Sequence, residues 1–485
     1  MNQKERLKRA YDGESFRVTG HALVDLIADY LEQAQNRKNY PVLPDQSPGA
    51  LLEKYRSLLE GDKDLVELFR SIITDSNHLH HPGYMGHQVC APLPVTALSG
   101  LLGTLLNNGS AVYEMGMSNV AMEKTVIDFT ARKLGMPEQS DGIMTSGGSL
   151  GNLTALLAAR QQMAGHDAWN EGSGAGEQPV ILVPQEAHYS IDKAVRIMGH
   201  GAPGTEIVPC NEQFAMDAGA IPGIIEKVNG SGRRVIAVVA SAGSTATGAY
   251  DPLEEVAAVC REYKLWFHVD GAHGAPAVFS EPYRHLAAGI EKADSVVIDY
   301  HKMGMTPGLN TAVIFREGQH SYETFAQKAS YLFSRANEPE WYTFAKRTVE
   351  CTKSMMGFHV YAILYAHGPE VFDANVTRLY DLSREFYAIL EAEKDMEVAH
   401  RPESNILCFR YHPEGSDEPW LNRVNPRIHE QINREGAFFI VQTTIGNSWY
   451  LRTALMNPLT NRDDLLKLVR HVRTHGKSIG SAGNN

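Results

Sequence analysis

The stretches RRVIAVVASAG (233–243), LWFHVDGAHG (265–274) and ADSVVIDYHKMG (293–304) each carry an apolar run that closes on small or polar residues. Short runs that are apolar on both faces suit the central strands of a sheet covered on both sides. Working outward, GIMTSGG (142–148), PVILVPQ (179–185) and GTEIVPC (204–210) have the same form, and helical patterns separate the runs from about residue 96 to 320. This alternation predicts an α/β fold: a mostly parallel central sheet with crossover helices. Ligands in such folds bind beyond the carboxyl ends of the strands, so the polar residues that close each run are the first candidates for a site.

The flanks differ. Upstream, ESFRVTGHALVDLIADYLEQAQ (14–35) places Ala22, Leu23, Leu26, Ile27, Tyr30 and Leu31 at helical spacing on one apolar face. The three prolines of NYPVLPDQSPGALLEKY (39–55) then break regular structure. The pattern suits equally an arm crossing a second subunit and a helix packed on its own domain. Downstream of about residue 367, a long helical stretch (374–394), strand-like NILCFRY (405–411) and AFFIVQTTI (437–445), and a closing helix DDLLKLVRHVRTHG (463–476) predict a small α+β domain. The expected division is a helical segment over 1–95, a large domain over 96–366 and a small one over 367–485.

Of the 485 residues 43% are hydrophobic and 21% charged, which suits a globular chain rather than a disordered one. A formal net charge of −12 argues against general affinity for nucleic acid or anionic membrane, both of which need clustered Lys and Arg. Cys90, Cys210, Cys260, Cys351 and Cys408 are odd in number, scattered and without C-x-x-C spacing, so reduced thiols and no metal site are expected. The first residues, MNQKERLKRAYDGESF, lack the apolar core of a signal peptide, and nothing later approaches the roughly 20 apolar residues of a membrane span. A cytoplasmic location is expected.

Four strand-end segments carry chemistry. In TSGGSLGNLTALLAAR (145–160) a Gly-Ser turn runs straight into a helix, whose free amides and dipole can hold a phosphate; simple capping is the alternative. Asp270 closes the run FHVD, where a carboxylate can meet a protonated pyridine nitrogen and keep the ring an electron sink, or merely cap the next turn. Lys302 closes SVVIDYHK, where a partly desolvated lysine in a cationic pocket becomes an imine-forming nucleophile rather than a solvated charge. His188, in PQEAHYSIDKA (184–194), can stack on such a ring, position a substrate carboxylate and assist proton transfer, or be structural.

Taken with FRVTGHALVDLIADYLEQ (16–33), HPGYMGH (81–87) and YLRTALMNP (450–458), these motifs resemble the group II pyridoxal-phosphate-dependent amino-acid decarboxylases. That family includes the aromatic amino-acid, glutamate and diaminobutyrate decarboxylases, and the resemblance spans nearly the whole chain. It implies fold type I, the architecture of pyridoxal-phosphate-dependent transferases, and a homodimer with the active site at the subunit boundary and an N-terminal arm wrapping the partner. It further implies that Lys302 is the Schiff-base lysine, Asp270 the partner of the pyridine nitrogen and His188 the ring-stacking histidine. Gly148 and Ser149, with help from His301, would bind phosphate, while Thr245 and Ala272 would contact the ring side. Tyr84, His87, Gln88 and Tyr113 are candidates for lining the substrate pocket, and Arg452 matches a family position.

The chain also departs from the family pattern. Asp299-Tyr300 stands where Asn-Pro is common before His-Lys, which alters an expected phosphate contact. GMSNVAME (116–123) replaces a Ser-Pro-Ala segment, and Gly109, Ser110 and Ala111 make a smaller wall than in aromatic decarboxylases. In relatives a tyrosine on a mobile loop returns the α-proton, and Tyr331 and Tyr342 are the candidates here. Without such a donor, decarboxylation would lead through oxygen to an aldehyde by oxidative deamination. A third reading is a non-catalytic, cofactor-binding partner subunit.

Overall fold

Strands form where the apolar runs predict them. In the computed structural model, which describes residues 1–61, 63–172, 174, 178–325 and 340–482, they are β1 (Asp141–Thr145), β2 (Pro179–Pro184), β3 (Thr205–Val208), β4 (Arg234–Ser241), β5 (Trp266–Asp270) and β6 (Ser295–Asp299). A seventh, β7 (Thr311–Phe315), completes a sheet of order β1-β7-β6-β5-β4-β2-β3. From β3 across to β6 all pairs are parallel, and β7 runs antiparallel to both of its neighbours. Every residue of β5, β6 and β7 is buried. Their apolar members need no further account, but His268, Asp270, Ser295, Asp299 and Thr311 are polar and must find partners inside.

The helices that matter below are α1 (Gly13–Gln35), α2 (Pro94–Leu106), α3 (Ser118–Lys133), α4 (Gly148–Met163), α5 (Tyr189–Ile197), α6 (Glu370–Glu391), α7 (Glu418–Glu435) and α8 (Arg462–Ala482). None of the described helices is long and apolar enough to cross a membrane. None of the five cysteines, all of them among the described residues, is in a disulfide.

The chain forms two compact units. One comprises Gln88–Tyr387 and Ala399–Cys408 and contains the seven-stranded sheet; the other comprises Met1–His87, Ala388–Val398 and Phe409–Asn485. The second holds most of a smaller sheet of order β10-β11-β9-β8, built from β8 (Met396–Val398), β9 (Ile406–Tyr411), β10 (Val441–Ile445) and β11 (Ser448–Ala454), together with α7 and α8. The α/β architecture with a mostly parallel sheet, a helical N-terminal region and a small α+β part is therefore the one read from the sequence.

A buried ion pair sets the strand that leads into the Gly-Ser turn. Lys353 Nζ lies 2.5 Å from Glu123 Oε1 on α3, both side chains being almost fully buried. Both groups also grip β1: the Met144 amide donates to Glu123 Oε1 at 2.9 Å, and Lys353 Nζ donates to the Met144 carbonyl at 2.7 Å. Removing one partner strands the other charge in a dry interior. Lys353→Met is accordingly expected to lower stability by about 3–5 kcal/mol in urea unfolding, with the double change to Met and Leu costing less. A loss below about 1 kcal/mol in the single variant would show that the pair is not the anchor of β1.

Candidate active site

The Gly-Ser turn has a physical reason for its glycines. Gly147 sits at φ +106° as the N-cap of α4, a conformation that a side chain resists. A Cβ on Gly148 would stand 3.0 Å from Asp299 Oδ2 and 3.4 Å from the Ala272 methyl. Leu150 and Gly151 make the first bonds of the helix, donating to the Gly147 carbonyl, so the Gly148 and Ser149 amides lie ahead of the hydrogen-bonded ladder. These are the donors that an anion meets at a helix start.

That turn opens onto a cavity of about 310 Å³, wholly within the unit that holds the seven-stranded sheet. Gly148, Ser149, His188, Thr245, Asp270, Ala272, His301 and Lys302, the eight residues expected to serve catalysis and the cofactor, all line it. Tyr113 is not among its lining residues; it is 44% exposed and meets Tyr342 edge-on at 5.8 Å between ring centroids. Tyr84, His87 and Arg452 belong to the other unit, where Tyr84 is buried and packs on Phe439 at 5.2 Å. Tyr331 lies outside the described residues.

Residues that the sequence reading passed over complete the polar lining. Asn152, on α4, donates from Nδ2 to Asp270 Oδ2 and to Ser190 Oγ, each at 3.0 Å. Its Oδ1 lies 3.0 Å from His268 Nε2, and since that oxygen can only accept, Nε2 carries the proton. Burial pushes the His268 imidazole down to about 4 against the opposing pull of Asp270, so the ring is neutral and its Nδ1 is bare. Nδ1 then accepts from Ser295 Oγ at 2.9 Å, and that oxygen in turn accepts from Trp266 Nε1 at 2.9 Å. A hydrogen-bonded chain thus runs Trp266, Ser295, His268, Asn152, Asp270. The Ala272 amide holds the other carboxylate oxygen at 3.2 Å.

The same logic fixes two more imidazoles. His188 Nδ1 accepts from the Ser190 amide at 3.3 Å and lies 2.8 Å from Ser190 Oγ, so His188 caps α5 as well as lining the cavity. Burial, aided by Lys302 and opposed by Asp270, moves it below the ordinary imidazole range and leaves a neutral ring with its proton on Nε2. His301 Nδ1 accepts from the Asn310 amide at 3.1 Å, and its Nε2 lies 3.5 Å from Asp299 Oδ2.

Lys302 differs from expectation in one respect. A cationic pocket was anticipated around it, yet its Nζ lies 3.2 Å from the buried carboxylate of Asp299, which also accepts from Thr311 Oγ1 at 2.5 Å. Asp299 is the residue that departs from the common Asn, and its charge here finds cationic company in the lysine beside it.

The donor set of this cavity suits a phosphorylated pyridine aldehyde. Helix-start amides and hydroxyls can take a dianion, a locked carboxylate can face a ring nitrogen, and a primary amine can meet a carbonyl. Residues 57–412 match the pyridoxal-dependent decarboxylase conserved domain. The chain belongs to that family. Its cofactor is pyridoxal phosphate, and it is an amino-acid carboxy-lyase. The decarboxylase is 26% identical to an aromatic-L-amino-acid decarboxylase of Bacillus atrophaeus over 96% of both chains. It is 27% identical to an L-aspartate decarboxylase of Metarhizium robertsii over 84% of this chain and 83% of the other. In fold it is similar to the glutamate decarboxylase domain of the diaminobutyrate-pyruvate transaminase and L-2,4-diaminobutyrate decarboxylase from Vibrio parahaemolyticus. That match has a TM-score of 0.86 and 20% identity, and covers 98% of this chain and 100% of the other.

Proposed function

We propose that this decarboxylase converts an L-amino acid to its amine and carbon dioxide through Lys302, Asp270 and His188, and that it does so as a homodimer. The observation that carries the assignment of roles is the convergence of these three side chains and the Gly148-Ser149 turn on one cavity. Pyridoxal phosphate, when bound, would supply an electron sink for the pair that a departing carboxylate leaves behind. Lys302 would supply the primary amine that holds the cofactor carbonyl. Asp270, held by Asn152 and the Ala272 amide, would keep a proton on the ring nitrogen. Neutral His188 would offer its Nε2 proton to a substrate carboxylate oxygen. Gly148 and Ser149, with His301 Nε2, would hold the phosphate, and Thr245 and Ala272, which line the same cavity, would border the ring.

For the dimer, the support is uncovered apolar surface. All six residues of the predicted α1 face are only half-buried, and Leu98, Leu101 and Leu105 on α2 are 61%, 47% and 67% exposed. We take residues 1–95 as the arm that covers a second copy, with 96–366 and 367–485 as the large and small domains. Light scattering is expected to give twice the chain mass at micromolar concentration; a monomer with full activity would contradict the shared site. The reduced thiols support a cytoplasmic setting.

The test of the chemistry is carbon dioxide release from the twenty amino acids, 2,4-diaminobutyrate and ornithine, with oxygen uptake recorded in parallel. Release with amine formation and no oxygen uptake is expected for at least one of them. Release coupled to oxygen, peroxide and ammonia would instead make the product an aldehyde.

A further inference from the structure

Away from the cavity, in the other compact unit, Glu435, His471 and His475 bring one carboxylate and two imidazoles together. The group contains no cysteine and rests on the spacing of its histidine pair. His471 and His475 lie four residues apart on α8, so both rings project from one face of the helix. Glu435 reaches them from the last residue of α7. Its Oε2 lies 2.9 Å from His471 Nδ1 and its Oε1 lies 3.0 Å from His475 Nε2.

We infer that Glu435, His471 and His475 form a binding site for a divalent transition-metal ion of the zinc class, which clips the end of α7 to α8. Two imidazoles and a carboxylate are a three-ligand set of that kind, with the fourth position left to water. Ligand atoms about 2.0–2.2 Å from a tetrahedral ion stand roughly 3.3–3.6 Å apart. With one carboxylate oxygen as ligand, its nitrogen-oxygen distance to the nearer ring needs to open by only a few tenths of an ångström, and the three ligand atoms, one from each residue, already lie within 4.8 Å of one another. The side chains are 41% (Glu435), 36% (His471) and 17% (His475) exposed, which leaves a path for the ion and its water. Phe438 packs edge-on against His471 at 5.5 Å and holds that ring toward the carboxylate.

The experiment uses the full-length holoenzyme, stripped of adventitious metal with a chelator and equilibrated with Zn²⁺. One zinc per chain is expected, with a rise in unfolding temperature, and with affinity about 10- to 100-fold weaker in His475→Ala and in Glu435→Gln. Decarboxylation in the absence of zinc should be unchanged in both variants. Equal zinc uptake by both variants, or none by wild type at a large molar excess, would overturn the proposal. Co²⁺ bound to the unmodified enzyme supplies a readout independent of substitutions: ligand-field bands without thiolate charge transfer support the site, whereas thiolate charge transfer places the ion on cysteine and overturns it.

Discussion

Lys302→Ala should abolish carbon dioxide release, lowering kcat by roughly 10³- to 10⁶-fold, the range seen when a covalent nucleophile is removed. Two effects are folded into that variant, because Lys302 is also the cation beside buried Asp299. Truncating it leaves a carboxylate that keeps Thr311 Oγ1 and His301 but loses its nearest ammonium, so the protein should also unfold at lower urea. Lys302→Arg separates the roles. A guanidinium keeps the charge beside Asp299 yet cannot form the imine, so it should restore much of the stability and none of the activity. Carbon dioxide release and urea midpoints, measured side by side on the three proteins, decide the matter. Activity above a tenth of wild type in Lys302→Ala would remove the lysine from the chemistry.

The same neighbourhood shows why some of the molecule was legible in sequence and some was not. Runs such as VIAVV and SVVID reveal buried strands because a residue covered on both faces has almost no polar option, and the residues that close them reveal the cavity because strand ends are where a parallel sheet opens. Strand order is another matter: TAVIF, as β7, inserts antiparallel between β1 and β6, and no local feature of this five-residue run announces a pairing about 170 residues away in the chain. The support behind Asp270 was readable in principle. His268 is two residues before it on a buried strand and so shares its face, and Asn152 interrupts an otherwise apolar stretch of α4. Each is a polar group that burial would penalise unless something nearby needed it. What sequence could not say is that they need each other, since the contact joins a helix to a strand more than a hundred residues later. Tyr113 lies outside the lining of this cavity for the converse reason: its type suits a pocket, but nothing local fixes where its ring is placed.

The carboxylate that those residues hold carries the second large effect. In Asp270→Asn the shape survives, but the charge that favours a protonated ring nitrogen is gone, and the new amide faces the Nδ2 donor of Asn152 with a donor of its own in one orientation or loses the Ala272 amide in the other. Loss of a buried charge partner costs about 3–5 kcal/mol, which in a transition state is roughly 10²- to 10⁴-fold in kcat. Asn152→Leu should act in the same direction through positioning alone. Asp270 stays charged but forfeits one charge-assisted hydrogen bond, worth about 1.5–3 kcal/mol, so kcat should fall by roughly 10- to 150-fold. A purely structural role for Asn152 would lower the unfolding midpoint and leave the cofactor's visible absorption and the pH dependence of kcat as they are. A role through Asp270 shifts both, in the same sense as Asp270→Asn but by less. Because the two residues act on one proton, their losses should not add: the double variant is expected to be little worse than Asp270→Asn, and a fully multiplicative loss would mean that the chain from Trp266 to Asp270 does not hold that proton.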